Sequence, residues 1–517
     1  MKRHLQILPA ILLGLIRGVA GGQAPQLAGS PDIPISSHDR VYTADQTSNT
    51  VSVYDPSTNR LIGVLRLGDV TPQNLSPLYR GQLLVHGLGF SFDHKTLAIV
   101  SIGSNSVTFL DTATNEIKHI TYVGRSPHEP FFTPDGSELW VTVRGEDYVS
   151  VIDSVTYQEK ARIQVGNGPG MTIFRPDGKY GFVCSSFTPE TKVVDVKIHQ
   201  VIATVPQASP FSPNIAATPD CKQFWLTLKD VGKTQVFGAD PPFSLVATLD
   251  TGPITNHVNF VRNQNGQFAY ISVGGENVVK VYTTGENPEL VATIPTGELP
   301  HGIWPSGDGT HIYVALENGT GINVINTLTN KVEARISGGQ SSQALVYFPN
   351  AVPIGEGLDH LEPLAEAGLS AHVVMGAPGT STSEAPTTVT LNNQGLIDLL
   401  QAAVTGLNPN AAYLLALVKD REHPNRDFQP LTRFKTNPAG AAIVNTLGPL
   451  RHVVVGTSGQ NDRRYLVIEP VEVSGEPKPV QIVAWQQSGV LKPFFTGLRD
   501  GVRQKRETDE VRDPRKF

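Results

Sequence analysis

The sequence is poor in cysteine and in charged residues. Among 517 residues there are only two cysteines, Cys184 and Cys221, and charged residues make up 17%, below the usual quarter of a soluble domain. Two thiols are too few for a disulfide scaffold, and the absence of a Cys-x-x-Cys-His motif excludes covalent c-type haem. Because the net charge is -6, the chain has no general basic field, and nucleic-acid binding is not expected.

Long hydrophobic runs are also missing. The longest apolar stretch is residues 7–16, which is too short to span a bilayer of about 30 Å, so no integral membrane span is expected. It follows Lys2 and Arg3 and precedes small residues up to Ala24, the pattern of an export signal. We therefore predict a signal peptide over 1–24 and an exported, periplasmic, secreted or cell-surface protein; an uncleaved amphipathic start is the alternative.

Local signatures of common enzymes are absent. The sequence contains no Gly-x-Ser-x-Gly elbow, no His-Glu-x-x-His helix and no Walker loop, so these hydrolase and nucleotide-binding classes are not indicated.

What the sequence does contain is a repeat rich in turn residues. There are 49 Gly and 39 Pro, and a phrase such as "FTPDGSELWVT" recurs with its turn residue every 42 to 45 positions. These turn residues are Asp93, Asp135, Asp177, Asp220, Asn265, Asp308 and Asn350. A period in the low forties predicts propeller blades of four strands each.

The two ends of the array are complementary. Residues 41–67 supply three strands without an innermost one, and residues 341–349 supply an innermost strand alone. A blade shared between both ends closes the ring and removes open edges. We predict seven blades over residues 39–353, with Cys184 and Cys221 about 20 Å apart and unpaired. Aromatic residues at the position of Trp140 are expected to pack between blades.

The repeats resemble the YVTN-type β-propeller family, which includes YncE-like and surface-layer-like proteins. The resemblance rests on "LWVTVRGEDYVSVIDSVTYQEKARIQVGNGPGMTIFRPDG" and "IYVALENGTGINVINTLTNKVEARISGG" and covers about 300 residues. It implies the propeller fold, which hosts binding modules, lactonases and cofactor enzymes alike.

A second region follows the repeats. Residues 354–370 are expected to be a linker, and 371–490 contain short strand patterns at spacings near ten residues, typical of a small β-sandwich. One stretch, "GLIDLLQAAV", looks helical. Residues 491–517 are dense in charge and are expected to be a disordered tail. The fold class is therefore all-β, a seven-bladed propeller followed by a small β-sandwich.

Histidines recur at the start of the innermost strands. They are His86, His128, His257 and His301, and because these strands start on one face, the imidazoles could converge on copper or zinc. His257 lies one residue further from its turn than the others, which suggests an enlarged turn. The alternative is that each ring only hydrogen-bonds a neighbouring carbonyl, so no cofactor is certain.

Charged residues are expected on the same face. Glu129, Arg144, Lys229 and Glu317 are candidate ligand-binding residues, and Asp45, Glu146 and Glu276 lie in equivalent turns; solvated turns are the alternative. The insertion 69–85 is long enough for a lid.

Two functions remain open. The first is an exported propeller that binds a small molecule, glycan or protein in its funnel. The alternative is a copper- or zinc-dependent propeller enzyme, a lactonase-like hydrolase or an oxidoreductase.

Overall fold

The computed structural model describes residues 33–69, 81–395, 397–421, 427–455, 463–471 and 478–484. The predicted signal peptide 1–24, the charged tail 491–517 and residues 70–80 of the insertion lie outside these ranges. Within them, helices are short, and none has the length and apolar character to cross a bilayer.

Seven antiparallel sheets of four strands form the propeller. The first strands are β1 (Arg40–Asp45), β2 (Thr50–Asp55) and β3 (Arg60–Arg66). Blade 1 holds β4 (Val85–Phe90), β5 (Thr96–Ser101), β6 (Ser106–Asp111) and β7 (Ile117–Tyr122). Blade 2 holds β8 (Pro127–Phe132), β9 (Glu138–Val143), β10 (Tyr148–Asp153) and β11 (Glu159–Gln164). Blade 3 holds β12 (Pro169–Phe174), β13 (Tyr180–Ser185), β14 (Glu190–Asp195) and β15 (Gln200–Pro206).

The remaining blades repeat this order. Blade 4 holds β16 (Ile215–Ala217), β17 (Gln223–Leu228), β18 (Lys233–Gly238) and β19 (Leu245–Asp250). Blade 5 holds β20 (Thr255–Asn263), β21 (Gly266–Val273), β22 (Val278–Thr283) and β23 (Leu290–Pro295). Blade 6 holds β24 (Pro300–Pro305), β25 (His311–Leu316), β26 (Thr320–Asn326) and β27 (Lys331–Gln340).

Blade 7 joins both ends of the array. Its innermost strand is β28 (Ser342–Phe348), and the sheet order is β28-β1-β2-β3. β28 pairs with β1 in the antiparallel register Val41 to Tyr347. The seven-bladed propeller and its closure by a shared blade are therefore confirmed.

A buried carboxylate ties this closure together. Asp45, at the end of β1, accepts hydrogen bonds from four hydroxyls on three strands of blade 7. The donors are Thr43 at 2.9 Å, Thr50 at 3.1 Å, Ser52 at 2.7 Å and Ser342 at 2.7 Å. Gly339 approaches so closely that a Cβ there would lie 2.3 Å from the Asp45 carboxylate. Only glycine fits this contact.

Aromatic side chains fill the gaps between blades. Trp140 packs on Phe174 of the next blade with ring centroids 5.0 Å apart, and Trp225 packs on Phe260 at 5.7 Å. Both tryptophans are fully buried, which confirms their predicted packing role. Each such ring removes a large apolar area from water and adds an edge-to-face contact.

The two cysteines are not paired. Cys184 is buried in β13, while Cys221 is partly exposed in the turn before β17, and both thiols are free. The prediction of two unpaired cysteines is confirmed.

The C-terminal region is a single sheet of eight strands. They are β29 (Ser370–Gly376), β30 (Thr387–Asn393), β31 (Asp398–Val404), β32 (Ala412–Val418), β33 (Gln429–Lys435), β34 (Ala442–Gly448), β35 (Tyr465–Pro470) and β36 (Gln481–Val483). Their order is β33-β32-β35-β36-β29-β30-β31-β34, and the outermost strands β33 and β34 lie against each other. The sheet thus curls into a nearly closed barrel rather than splitting into two layers. One helix, α1 (Arg451–Val455), follows β34.

The helical interpretation of "GLIDLLQAAV" is wrong. Residues 398–404 of this segment form β31, in which Leu400, Ala402 and Val404 face the barrel core. The alternate residues Gln401 and Ala403 face the propeller and are also buried. Because both faces of the strand are covered, its apolar pattern does not alternate and mimics a helix.

The segment between the two units is attached to blade 7. Glu362 exchanges two backbone hydrogen bonds of 2.9 Å with Val64 in β3, and its carboxylate accepts one from Arg66 at 2.9 Å. A short 3₁₀-helix, Ala365–Gly368, leads into β29.

Candidate functional site

The predicted site residues meet at one end of the propeller channel. His86, His128 and Glu129 offer ligand atoms that all lie within 4.8 Å of one another. The His301 ring lies 6.5 Å from the His86 ring and 4.6 Å from the His257 ring, measured between centroids. Arg144, Lys229 and Glu317 are close enough to alter the pKa of members of this group. We call these eight residues the mouth cluster.

His86 and His128 touch across adjacent blades. Gly87 permits this approach, since a Cβ at that position would lie 2.2 Å from the His128 carbonyl oxygen. The two Nε2 atoms are 2.9 Å apart. His128 Nδ1 lies 2.6 Å from the Gly170 carbonyl, which only accepts, so Nδ1 carries the proton and Nε2 a lone pair. His86 Nε2 therefore donates, and its buried Nδ1 has no partner in the described residues.

His301 and His257 are held in opposite tautomers. His301 Nδ1 donates to the Gln343 carbonyl at 2.8 Å, which leaves Nε2 as an acceptor. Asn214 accepts from the Val258 N–H through Oδ1, so its Nδ2 donates to His257 Nδ1 at 3.2 Å. The free Nε2 of His257 is therefore a donor. The four Nε2 atoms thus comprise two acceptors, on His128 and His301, and two donors, on His86 and His257, and are not a uniform set of ligands.

The position of His257 was predicted to reflect a turn enlarged by one residue, and this prediction is wrong. Val258 pairs with Ile271 in blade 5, where Leu88 pairs with Ile99 in blade 1, so the hairpin of blade 5 is longer by two residues rather than one. Asn256 consequently occupies the place of the other histidines and donates to the Pro300 carbonyl at 2.8 Å. His257 lies one position further along the strand, level with Glu129.

Burial keeps the four imidazoles neutral. It lowers the pKa of His86, His128 and His257 well below the usual value, and that of His301 to about 3. The nearby cations act in the same direction, Arg144 on His86 and Lys229 on His301. A neutral imidazole can hydrogen-bond or ligate a metal but does not cancel a negative charge.

Two basic side chains lack partners at the mouth. Arg144 and Lys229 are only partly exposed, and burial lowers the pKa of each. Neither side chain makes a hydrogen bond or salt bridge to any residue that the structure describes. Burial also raises the pKa of Glu129 well above its usual value, which favours its neutral form. The positive charge at the mouth is therefore concentrated on Arg144 and Lys229, and Glu317 attracts Lys229.

The C-terminal barrel covers part of the mouth. Ile254 and Leu299, which lead into blades 5 and 6, pack with Ala403, Ala441 and Ile443 of the barrel side. Asn318 in blade 6 is fully buried, donates to the Thr388 carbonyl at 3.3 Å, and accepts a hydrogen bond from the Thr390 hydroxyl. The barrel is thus docked on the face that carries the mouth cluster.

One barrel residue enters the site directly. Gln401 Nε2 donates to Glu317 Oε1 at 2.5 Å, and both side chains are buried. The other carboxylate oxygen, Oε2, lies 3.8 Å from His301 Nε2. Sequence reasoning missed Gln401, because no local pattern indicates which strand of a second unit covers the first.

The other charged turn residues do not join the mouth cluster. Asp45 lies in the hydroxyl network of blade 7, Glu146 accepts from the Arg125 backbone at 2.9 Å, and Glu276 pairs with Lys280 at 2.8 Å. Of the insertion 69–85, residues 70–80 lie outside the described part, so the predicted lid stays a prediction.

Below the mouth the channel narrows. Apolar side chains of the innermost strands leave a cavity with room for roughly one or two water molecules. Glu129, Asn214 and His257 line its upper end.

Comparison with known proteins agrees with this architecture. A family model described as "Lactonase, 7-bladed beta-propeller" matches residues 105–333, from the start of β6 into β27. This chain is a seven-bladed β-propeller protein. Its matched blades are similar to the lactonase type; the match does not single out YncE-like proteins. No protein of curated function matches the chain.

Two solved structures are similar to this chain at low identity. A functionally unknown protein from Desulfotomaculum acetoxidans DSM 771 has 11% identity and a TM-score of 0.50, covering 59% of this chain and 98% of that one. Kuenenia stuttgartiensis hydrazine synthase has 18% identity and a TM-score of 0.48, covering 60% of this chain and 96% of that one. At such identities the likeness concerns the fold alone.

Proposed function

We propose that this chain is an exported propeller protein that binds a small anionic molecule at the mouth, between blades 2 to 6 and the C-terminal barrel. The observation that carries the proposal is the pair Arg144 and Lys229, two desolvated cations without a hydrogen-bonding partner in the described residues. A charge without a hydrogen-bonding partner in a partly dry site is costly. A bound carboxylate or phosphate would supply the missing partner.

The rest of the mouth suits such a ligand. The four imidazoles are neutral, and the pKa of Glu129 is raised, so these groups do not neutralise the cations. Glu317 attracts Lys229, but burial still lowers the pKa of that lysine. His257 Nε2 is a further donor, because Asn214 occupies Nδ1. Charge-assisted hydrogen bonds from Arg and Lys to an anion are the strong kind. The site is thus preorganised for an acidic group.

Calorimetric titration of the full chain with acetate and with inorganic phosphate tests the proposal. We expect saturable binding of one anion per chain that weakens as chloride is added, because chloride competes for the same charges. Tetramethylammonium serves as the cation control and is expected to give no saturable heat. Absence of saturable binding for both anions would contradict the proposal.

A second candidate function is metal-dependent catalysis. It is favoured by the three potential metal ligands His86, His128 and Glu129. Two nitrogens at about 2.05 Å from tetrahedral zinc lie roughly 3.3 Å apart, and the observed Nε2 separation of 2.9 Å needs only a small opening. Copper or zinc there would supply a Lewis acid for lactonase-like hydrolysis, or, with copper, a redox centre. The neighbouring charge of Arg144 opposes cation binding.

Zinc titration distinguishes the metal centre from the anion site. A metal centre predicts one zinc per chain and at least a tenfold loss of affinity in His128→Gln, which keeps a side-chain amide to donate to the Gly170 carbonyl. His199→Gln, on a histidine that contacts Glu138 away from the mouth, is the matched control. Equal affinity in the wild type and His128→Gln would rule out this centre.

A further inference from the structure

The contact between Gln401 and Glu317 is the one place where a barrel side chain donates to a charged member of the mouth cluster among the described residues. It is short, at 2.5 Å, and both residues are less than a tenth exposed. A hydrogen bond from a neutral amide to a buried carboxylate restricts how that carboxylate can turn. Gln401 thereby fixes the orientation of the Glu317 carboxylate.

The second oxygen of the Glu317 carboxylate has no hydrogen-bonding partner among the described residues. Glu317 Oε2 is buried and makes no hydrogen bond within the described residues. It lies 3.8 Å from His301 Nε2, which is an acceptor because Nδ1 donates to the Gln343 carbonyl. Two acceptors at this distance do not bond each other. No described residue donates a hydrogen bond to either of these two atoms.

Lys229 lies near Glu317 and His301. It interacts electrostatically with both Glu317 and His301, yet its ammonium group makes no hydrogen bond or salt bridge to a described residue. A ligand that places an acidic group on Arg144 and Lys229 brings its adjacent atoms towards Glu317 and His301. A hydroxyl there could donate to one acceptor, whereas a methyl group would leave a buried carboxylate oxygen unsatisfied. The cost of leaving this oxygen unsatisfied therefore favours ligands that carry a hydrogen-bond donor over ligands that do not.

We propose that Gln401 is a positioning residue which holds Glu317 as an acceptor, so that the propeller and the barrel together select anions carrying a hydrogen-bond donor next to the acidic group. The inference rests on the proposed anion site and adds the ligand class, a hydroxy acid or an amino acid. It also assigns the barrel a role in recognition.

The test compares glycolate with acetate, two anions of the same charge that differ by one hydroxyl. Dissociation constants are measured by calorimetry at constant ionic strength for the full chain and for Gln401→Met, which keeps the length of the side chain. We expect the wild type to bind glycolate about tenfold more tightly than acetate. In Gln401→Met we expect the two anions to bind equally, with acetate affinity unchanged.

Thr388→Val is the matched control, because Thr388 lies in the same seam against Asn318 and does not face the mouth cluster. It is expected to keep the preference for glycolate. The unfolding midpoint of each variant is measured, and Gln401→Leu replaces Gln401→Met if the latter does not fold.

The outcomes separate this inference from the anion site itself. If the wild type binds neither anion, the proposed function fails and the inference fails with it. If the wild type binds both equally, the anion site stands and the role of Glu317 is overturned. If Gln401→Met weakens both anions by the same factor, Gln401 is only structural, and the positioning role is overturned.

Discussion

Replacing Arg144 and Lys229 together by Met is expected to weaken anion binding about 100-fold or more while stabilising the unliganded protein. Each side chain would contribute a charge-assisted hydrogen bond worth roughly 1.5–3 kcal/mol to the bound anion, and each 1.4 kcal/mol is about a factor of ten in affinity. Met keeps the length and apolar stem of both residues but removes the charge. Calorimetric titration with acetate and denaturant unfolding of the same preparations check both effects.

The gain in stability is the more diagnostic half of this prediction. Burial lowers the pKa of both cations despite the attraction of Glu129 and Glu317, so removing the cations relieves more desolvation than it loses in attraction. We expect an increase of about 1 kcal/mol or more in the free energy of unfolding.

Arg125→Met is the matched control for that variant. Arg125 lies on the same face, but its side chain is 76% exposed and sits 3.7 Å from Glu146. We expect little change in either measurement, since exposed ion pairs contribute little. A double variant that binds acetate like the wild type, or that is destabilised by several kcal/mol, would show that the two cations serve the fold instead.

Asp45→Asn is expected to become less destabilising as the pH rises. Burial raises the pKa of Asp45 from 3.8 to about 6, although four hydroxyls donate to it. The folded state thus holds a proton more tightly than the unfolded state. The contribution of this proton to the free energy of unfolding is fully present below about pH 4. It is lost as the pH rises through 6. The asparagine variant, neutral at every pH, does not share that loss.

The expected change in the difference between wild type and variant is about 2 kcal/mol between pH 4 and pH 7. Urea unfolding at a series of pH values measures it. Asp135→Asn is a control with the opposite sign, because hydrogen bonds to Thr133 and Ser137 hold the pKa of Asp135 below its usual range. Its destabilising effect is expected to shrink in acid. An Asp45→Asn effect independent of pH would exclude a neutral buried carboxyl at the blade closure.

The propeller was predictable because its determinants repeat. Each Pro-Asp-Gly turn is followed by an alternating strand, and the period of 42 to 45 residues admits few other architectures. The missing strand at one end and the extra strand at the other also predicted the closure through β1 and β28. Local chemistry and ring geometry determine these features, and both are visible in one sequence.

The mouth cluster was predictable for the same reason. The innermost strands all start on one face, so residues at equivalent repeat positions meet there. The prediction was wrong about the position of His257, because a hairpin lengthened by two residues shifts the strand register without changing the turn motif. Register depends on pairing with the neighbouring strand, which spacing alone does not reveal.

The C-terminal unit was harder to predict. Short strands were visible, but β31 looked helical because the propeller covers its outer face. The docking of the barrel on the mouth depends on complementary surfaces far apart in sequence, such as Asn318 with Thr388. The role of Gln401 therefore emerges only from the tertiary structure.

Anomalous diffraction from crystals of the full chain soaked in bromide tests the central claim most directly. The mouth is predicted to hold bromide between Arg144 and Lys229, with an anomalous signal at the bromine edge and no signal at the zinc or copper edges beside His86 and His128. A mouth without bromide, or a zinc or copper peak within about 2.5 Å of the two imidazoles, would contradict an anion site and favour a metal centre.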